Sequence, residues 1–121
     1  MKEQSQRQLR VGQQFRLELS NFLHKKKFDH SALIEAEQIT VTEVSMSPDL
    51  KNAKAFVMQL AHDDMDDEVL DALNEVAPQI QGQIARALGM KSTPRLRFAE
   101  DTTYKTAGRV EQLLAGIKHS D

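Results

Sequence analysis

Hydrophobic and polar positions follow two different periods along the chain. From Gln6 to Lys27 apolar side chains recur every three or four residues, which is the spacing of one buried helix face. Ser5 with Gln8 three residues later has the pattern of a capping box, so a helix is predicted to begin there. The apolar face consists of Val11, Phe15, Leu19, Phe22 and Leu23.

A β-hairpin is predicted after a connection over residues 28 to 36. Two β-rich runs, near Gln38 to Met46 and near Ala53 to Leu60, flank the segment SPDLKN. Its Ser, Pro, Asp and Asn are turn-forming residues, because proline presets φ and the others bond to nearby backbone. The apolar positions of the first run change parity partway along, and a β-bulge near Thr42 would reconcile them.

Helical spacing returns from Val69 to Ala87, with a proline inside it. Because proline lacks a backbone N–H and clashes with the preceding turn, two helices joined by a kink at Ala77 and Pro78 are predicted. Gly89 is the expected stop of the second of these helices.

A short strand and a last helix complete the predicted order. The strand covers Arg95 to Ala99, with its two arginines on one face and Leu96 and Phe98 on the other. The helix covers Lys105 to Lys118. Helices on one face of a small sheet make an α+β fold, predicted here as a single domain over residues 1–121.

The charges are strongly segregated although the net charge is only −2. Met1 to Lys27 holds seven basic and two acidic residues, and Arg86 to Arg97 holds four basic and no acidic residues. Ala61 to Glu75 holds seven acidic and no basic residues. If the basic segments meet in space, the molecule has a positive face that suits nucleic acid.

No residue pattern indicates catalysis. The chain has no cysteine, and its four histidines are scattered without metal-ligand spacing. The acidic run 63–68 lacks the glycine and distant glutamate of a calcium-binding loop, so we interpret it as favourable charge at a helix start. We therefore expect a protein that is not an enzyme and has no metal, cofactor or small-molecule substrate. The first thirty residues contain no uninterrupted apolar block, so no signal peptide or membrane span is expected.

Three stretches resemble ribosome-binding factor A, a family of bacterial small-subunit assembly factors. The first is VSMSPDL at Val44 to Leu50 with AKAFV after it, the second runs from Leu73 to Leu96, and the third is FAED at residues 98–101. The likeness covers roughly Arg7 to Leu114. It implies a type II KH-like domain with an additional C-terminal helix. It also implies a cytoplasmic, monomeric factor that binds free 30S subunits and 16S rRNA and assists late assembly and 5′-end processing.

One departure bears on how RNA would be held. KH domains that grip single strands use a GXXG loop between paired helices, and this chain has none there. The family it resembles also lacks that loop and carries an Ala-x-Gly kink, where Pro78 stands in this chain. A proline has no N–H to donate to a phosphate. We therefore expect other residues to bind the RNA, through its shape and backbone.

The basic residues are the candidate RNA-binding site. A second hypothesis is a protein-interaction module that uses the acidic 63–75 surface or the hairpin, which bulk RNA would not compete away. The candidate RNA-binding residues are Arg86, Lys91, Arg95, Arg97, Arg7, Arg10, Lys25, Lys26 and Lys27.

Overall fold

The computed structural model describes residues 4–25, 31–33, 38–60 and 64–103. Its helices and strands are α1 (Gln6–Lys25), β1 (Ile39–Met46), β2 (Asn52–Gln59), α2 (Asp67–Ala87) and β3 (Arg95–Glu100), with one 3-10 turn at Ser31–Leu33. The predicted α+β class is confirmed. The predicted helix over residues 105–118 lies outside the described residues, as do Lys26 and Lys27.

The strands form one sheet in the order β1-β2-β3. β1 and β2 are antiparallel, whereas β2 and β3 are parallel because α2 crosses back between them. α1 packs on β1 and α2 packs on β3, so both helices cover the same face, and among the described residues no element packs on the other face. The largest fully buried side chains in this single core include Phe15, Leu19, Leu23, Leu33, Ile39, Val57, Leu73, Ile80 and Ile84.

α1 begins with the predicted capping box. The Ser5 N–H donates to Gln8 Oε1 at 2.9 Å, and the Gln8 N–H donates to Ser5 Oγ at 3.1 Å. Gln8 Nε2 also donates to the carbonyl of Met46 at 2.9 Å. One turn later Gly12 lies so close to β1 that an added Cβ would stand 2.5 Å from the Val44 carbonyl oxygen. α1 therefore starts beside the end of β1 and runs antiparallel to it.

The hairpin turn is held by short polar side chains. Ser47 Oγ donates to Asp49 Oδ1 at 2.7 Å, the Lys51 N–H donates to the same oxygen at 3.0 Å, and the Asn52 N–H donates to Ser47 Oγ at 3.0 Å. The Ser47 hydroxyl and then the Lys51 N–H lower the pKa of Asp49. Leu50 has φ of 58°, an uncommon conformation for a branched residue, and its side chain is buried in the core.

The predicted bulge near Thr42 is confirmed. The register between β1 and β2 shifts between Val41 and Glu43, which leaves Glu43 exposed and keeps the apolar residues on either side buried. Thr42 itself donates from Oγ1 to Asp101 Oδ2 at 2.5 Å, so the bulge is tied across the sheet to the end of β3. This bond and the backbone N–H of Thr103 lower the pKa of Asp101.

The prediction of two helices on either side of Pro78 was wrong, because α2 is one helix from Asp67 to Ala87. Proline removes only its own N–H bond, and Pro78 lies on the exposed side, where water can satisfy the carbonyl left free. The buried side continues past this position through Ala77, Ile80 and Ile84. Packing of this face on the sheet therefore outweighs the lost hydrogen bond.

The ends of α2 differ in how well the sequence predicted them. Gly89 follows the helix with φ of 65°, and the N–H groups of Gly89 and Met90 donate to the carbonyls of Arg86 and Ala85, which is a Schellman stop. At the start, Asp66 occupies the N-cap position without a side-chain capping bond. Its N–H donates instead to Gln59 Oε1 at 3.1 Å. Asp66 therefore adds negative charge at the start of α2 without a side-chain capping bond.

Candidate nucleic-acid interface

The positive charges concentrate at the end of the sheet that carries the hairpin turn, here named the turn end. Arg7 and Arg10 lie there because α1 begins beside Met46. Arg95 lies there because it pairs in register with Asn52, the first residue of β2. The Asp49 carboxylate also lies at this end, within the turn itself.

Arg86 and Lys91 reach the same end through the topology. α2 runs antiparallel to β2 and β3, so its last turn, which holds Arg86, arrives where β3 begins. Lys91 lies in the connection between Gly89 and Arg95. Both side chains are exposed. Residues of both basic segments, Met1 to Lys27 and Arg86 to Arg97, therefore lie at the turn end.

The opposite end of the sheet is acidic. α2 begins there with Asp67 and Glu68, and β3 ends there with Glu100, which Asp101 follows. One of these carboxylates is hydrogen-bonded within the domain, since Glu100 Oε2 accepts the Met65 N–H at 2.9 Å. A phosphate chain would be attracted to the turn end and repelled from the acidic end.

Lys25 does not join the other candidates. It is exposed at the last turn of α1, eighteen residues after Arg7. At about 1.5 Å rise per residue, the two positions are about 27 Å apart along the helix. Lys25 therefore lies near the acidic end, and its predicted neighbours Lys26 and Lys27 are not described.

Lys54 is a basic residue of this surface that sequence reasoning missed. It is Arg97's register partner across the parallel β2–β3 pair, and both side chains are exposed on the open face of the sheet. Its Nζ stands 5.3 Å from the centre of the Phe56 ring. The alternation of exposed and buried positions around Ala53 and Ala55 was a usable signal for the face. The non-local register that brings Lys54 to Arg97 had no such signal.

Arg95 and Arg97 stand between two grooves. The sheet-face groove, of about 410 Å³, lies on the open face and is lined by Ser45, Asn52 and Lys54 in addition to the two arginines. The helix-side groove, of about 480 Å³, lies between β3 and α2 and is lined by Asp71, Asn74, Pro78 and Gln81 with the same arginines.

The edge of β3 in the helix-side groove is already hydrogen-bonded. Asn74 Oδ1 accepts the Phe98 N–H at 2.7 Å and Asn74 Nδ2 donates to the Phe98 carbonyl at 3.1 Å. Gln81 Oε1 accepts the Leu96 N–H at 2.9 Å. The two amides thus occupy the positions that a further strand would take, and they cover the exposed edge of the sheet.

Metal and membrane sites are not found in the described part of the chain. No three His, Asp or Glu side chains there could hold a metal ion together. No helix within the same residues is long and apolar enough to cross a membrane.

Comparison with known proteins decides the family. The model of the family described as "Ribosome-binding factor A" matches residues 7–114. The chain belongs to the ribosome-binding factor A family. A member from Chelativorans sp. is 43% identical over 111 residues, which is 91% of this chain and 81% of that protein.

Solved structures of ribosome-binding factor A proteins share the fold. The solution structure of a putative ribosome-binding factor A from Thermotoga maritima has a TM-score of 0.67 at 21% identity, over 84% of this chain and 92% of that one. A Thermus thermophilus ribosome-binding factor A, fitted as a homology model into the map of a 30S complex, has a TM-score of 0.61 at 18% identity, over 78% of this chain and 96% of that one. At these identities the likeness supports the KH-like fold.

The stretch that carried the resemblance has a structural role in this ribosome-binding factor A domain. The segment VSMSPDL ends β1, forms the hydrogen-bonded turn and places Leu50 in the core. It also supplies Ser45 and Ser47 to the sheet-face groove. The same residues therefore shape the turn end and line its groove.

Proposed function

We propose that this protein is a small-subunit assembly factor that binds free 30S ribosomal subunits and contacts 16S rRNA. In this proposal it assists late assembly, including processing of the 5′ end of 16S rRNA, and performs no bond chemistry itself. Membership of the ribosome-binding factor A family supports the ribosomal role. The fitted Thermus thermophilus relative supports the 30S subunit as the partner. The proposed factor acts as a monomer in the cytoplasm.

The observation that carries the RNA contact is the gathering of cations at the turn end. Arg95 and Arg97 are exposed, and in the described part of the chain no carboxylate pairs with either of them. Unpaired arginines on a rigid strand can hold backbone phosphates without first breaking an internal ion pair. Arg7, Arg10, Arg86 and Lys91 extend the same positive end and are proposed as further contacts, whereas Lys25 lies at the other end of α1 and is not proposed as one.

The proposed mechanism is differential binding. A factor that binds one conformation of immature rRNA more tightly than another raises the population of the first by its difference in affinity. The acidic end favours one orientation, with the start of α2 and the end of β3 directed away from RNA.

A protein-interaction module remains the competing hypothesis, with the acidic 63–75 surface or the hairpin as its contact. Within the acidic surface, the Asp66 carboxylate already accepts a hydrogen bond from Gln59 Nε2 inside the domain. Bulk RNA discriminates the two functions, since it should compete with the proposed subunit contact and leave a purely protein contact unchanged.

The double variant Arg95→Glu/Arg97→Glu tests the RNA contact. Each lost phosphate contact should cost about five- to eightfold in affinity at about 0.1 M salt, so the pair should weaken subunit binding by at least about 25-fold. Thermal unfolding should change little, because both side chains are exposed and pair with no carboxylate among the described residues. Lys25→Glu is the control at the other end of α1. Unchanged binding by a folded double variant would remove Arg95 and Arg97 from the interface.

A further inference from the structure

Arg95 and Arg97 line both grooves, so they do not by themselves say on which side of β3 an RNA strand lies. The grooves have similar volumes, about 410 Å³ on the sheet face and about 480 Å³ beside α2. Size therefore does not show which groove holds RNA, and the decision depends on the chemistry of the other residues that line each groove.

The sheet-face groove offers cations and unused hydrogen-bonding groups. Lys54 and Arg97 are cross-strand neighbours, and like charges at such a position repel each other unless an anion lies between them. In the described part of the chain no carboxylate pairs with Lys54. The Ser45 hydroxyl and the Asn52 side-chain amide line the groove without a protein partner among the same residues. A phosphate would neutralise the cations, and phosphate or ribose oxygens would accept hydrogen bonds from Ser45 and Asn52.

The helix-side groove offers amides that are already hydrogen-bonded and a carboxylate that repels phosphate. Its amides, from Asn74 and Gln81, are already bonded to the edge of β3, so an RNA strand would have to displace bonds that hold the edge. The Asp71 carboxylate lines the groove and repels phosphate. Pro78 supplies no N–H at the position where KH domains use a glycine-rich loop.

We propose that rRNA crosses the open face of the sheet at the turn end, with its phosphates held in the sheet-face groove by Lys54, Arg95 and Arg97. The helix-side groove, although it shares the two arginines, is not the RNA path. This inference rests on the proposed RNA-binding function and specifies its site. It adds Lys54 as a binding residue and Ser45 and Asn52 as polar contacts.

Three single-charge variants test the site: Lys54→Gln in the sheet-face groove, Asp71→Asn in the helix-side groove, and Lys25→Gln as a charge-matched control. Affinity for isolated small subunits is measured across a salt series, and thermal unfolding checks that each variant is folded. Lys54→Gln should weaken binding about five- to eightfold at about 0.1 M salt and lower the slope of log affinity against log salt by about one. Asp71→Asn and Lys25→Gln should change affinity less than about twofold.

The alternative outcomes are distinct. Tighter binding by Asp71→Asn with no effect of Lys54→Gln would place RNA in the helix-side groove and overturn this inference, while the proposed function would stand. Weaker binding by Lys54→Gln with an unchanged salt slope would indicate a ribosomal protein as the contact and would also overturn it. No binding by the unmodified protein would remove the proposed function itself.

Discussion

Replacement of Gly12 by alanine should destabilise the domain, although alanine is the better helix former. The added Cβ would stand 2.5 Å from the Val44 carbonyl oxygen, which is backbone and cannot rotate away. α1 would have to move away from β1. That shift would loosen the packing of Phe15 and Leu19 and lengthen the bond from Gln8 to Met46.

The expected change in the free energy of unfolding combines the cost of overpacking with the gain in helix propensity. Overpacking of this kind costs about 1–3 kcal/mol, and losing the Gln8 bond costs about 1 kcal/mol more. Alanine returns about 1 kcal/mol of helix propensity. The net loss for Gly12→Ala is therefore about 1–3 kcal/mol. At about 4 °C per kcal/mol, the melting temperature should fall by about 4–12 °C.

Gly82→Ala is the matched control, since it makes the same substitution in the other helix. Nothing lies within 4 Å of the Cβ that would be added there. It should therefore keep the propensity gain of about 1 kcal/mol and raise the melting temperature by about 4 °C. Thermal unfolding followed by circular dichroism measures both. A Gly12→Ala protein as stable as the unmodified one would refute the close approach of α1 to β1. A destabilised Gly82→Ala protein would refute the continuous α2 beyond Pro78.

Two further predictions concern the ends and edge of β3. Asn74→Ala removes both hydrogen bonds to Phe98 and should lower the free energy of unfolding by about 1–3 kcal/mol. The control Gln83→Ala, on the exposed side of α2, should change it by less than about 0.5 kcal/mol. Equal effects of the two variants in chemical denaturation would contradict the contact between Asn74 and the edge of β3. The pKa of Asp101 lies below its ordinary value of 3.8, because the Thr42 hydroxyl and the Thr103 N–H donate hydrogen bonds to its charged form. Ionised Asp101 therefore stabilises the folded state above the unfolded pKa, and this stabilisation is lost as pH falls through the folded pKa. The difference in melting temperature between the unmodified protein and Asp101→Asn should accordingly shrink from about pH 6 to about pH 3, and a constant difference would contradict this assignment.

Local patterns predicted the features whose causes are local. The Ser5–Gln8 capping box, the bulge at Thr42 and the stop at Gly89 each depend on residues close in sequence. Each also has a specific physical signal, namely a fixed spacing, a change of parity or tolerance of positive φ.

Non-local contacts explain what the sequence did not predict. A proline usually ends or bends a helix, yet α2 continues because Pro78 is exposed and the buried side is unbroken. Asn74 and Gln81 are ordinary helix-surface residues in the sequence, and only the placement of β3 reveals them as partners of its edge.

The candidate site was predicted in part for the same reason. Exposure of Arg95 and Arg97 on one strand face followed from alternation. Their nearness to Lys54 depends on the parallel register, which cannot be read from spacing along the chain. The separation of Lys25 from Arg7, in contrast, follows from the length of the predicted helix.

Co-sedimentation with isolated small subunits and with whole ribosomes, across a salt series, tests the proposed function most directly. Binding to free small subunits alone, with affinity falling as salt rises, is the predicted result, because the contact is proposed to be cations on phosphates. Absence of binding to either particle at low salt would contradict the assembly-factor function.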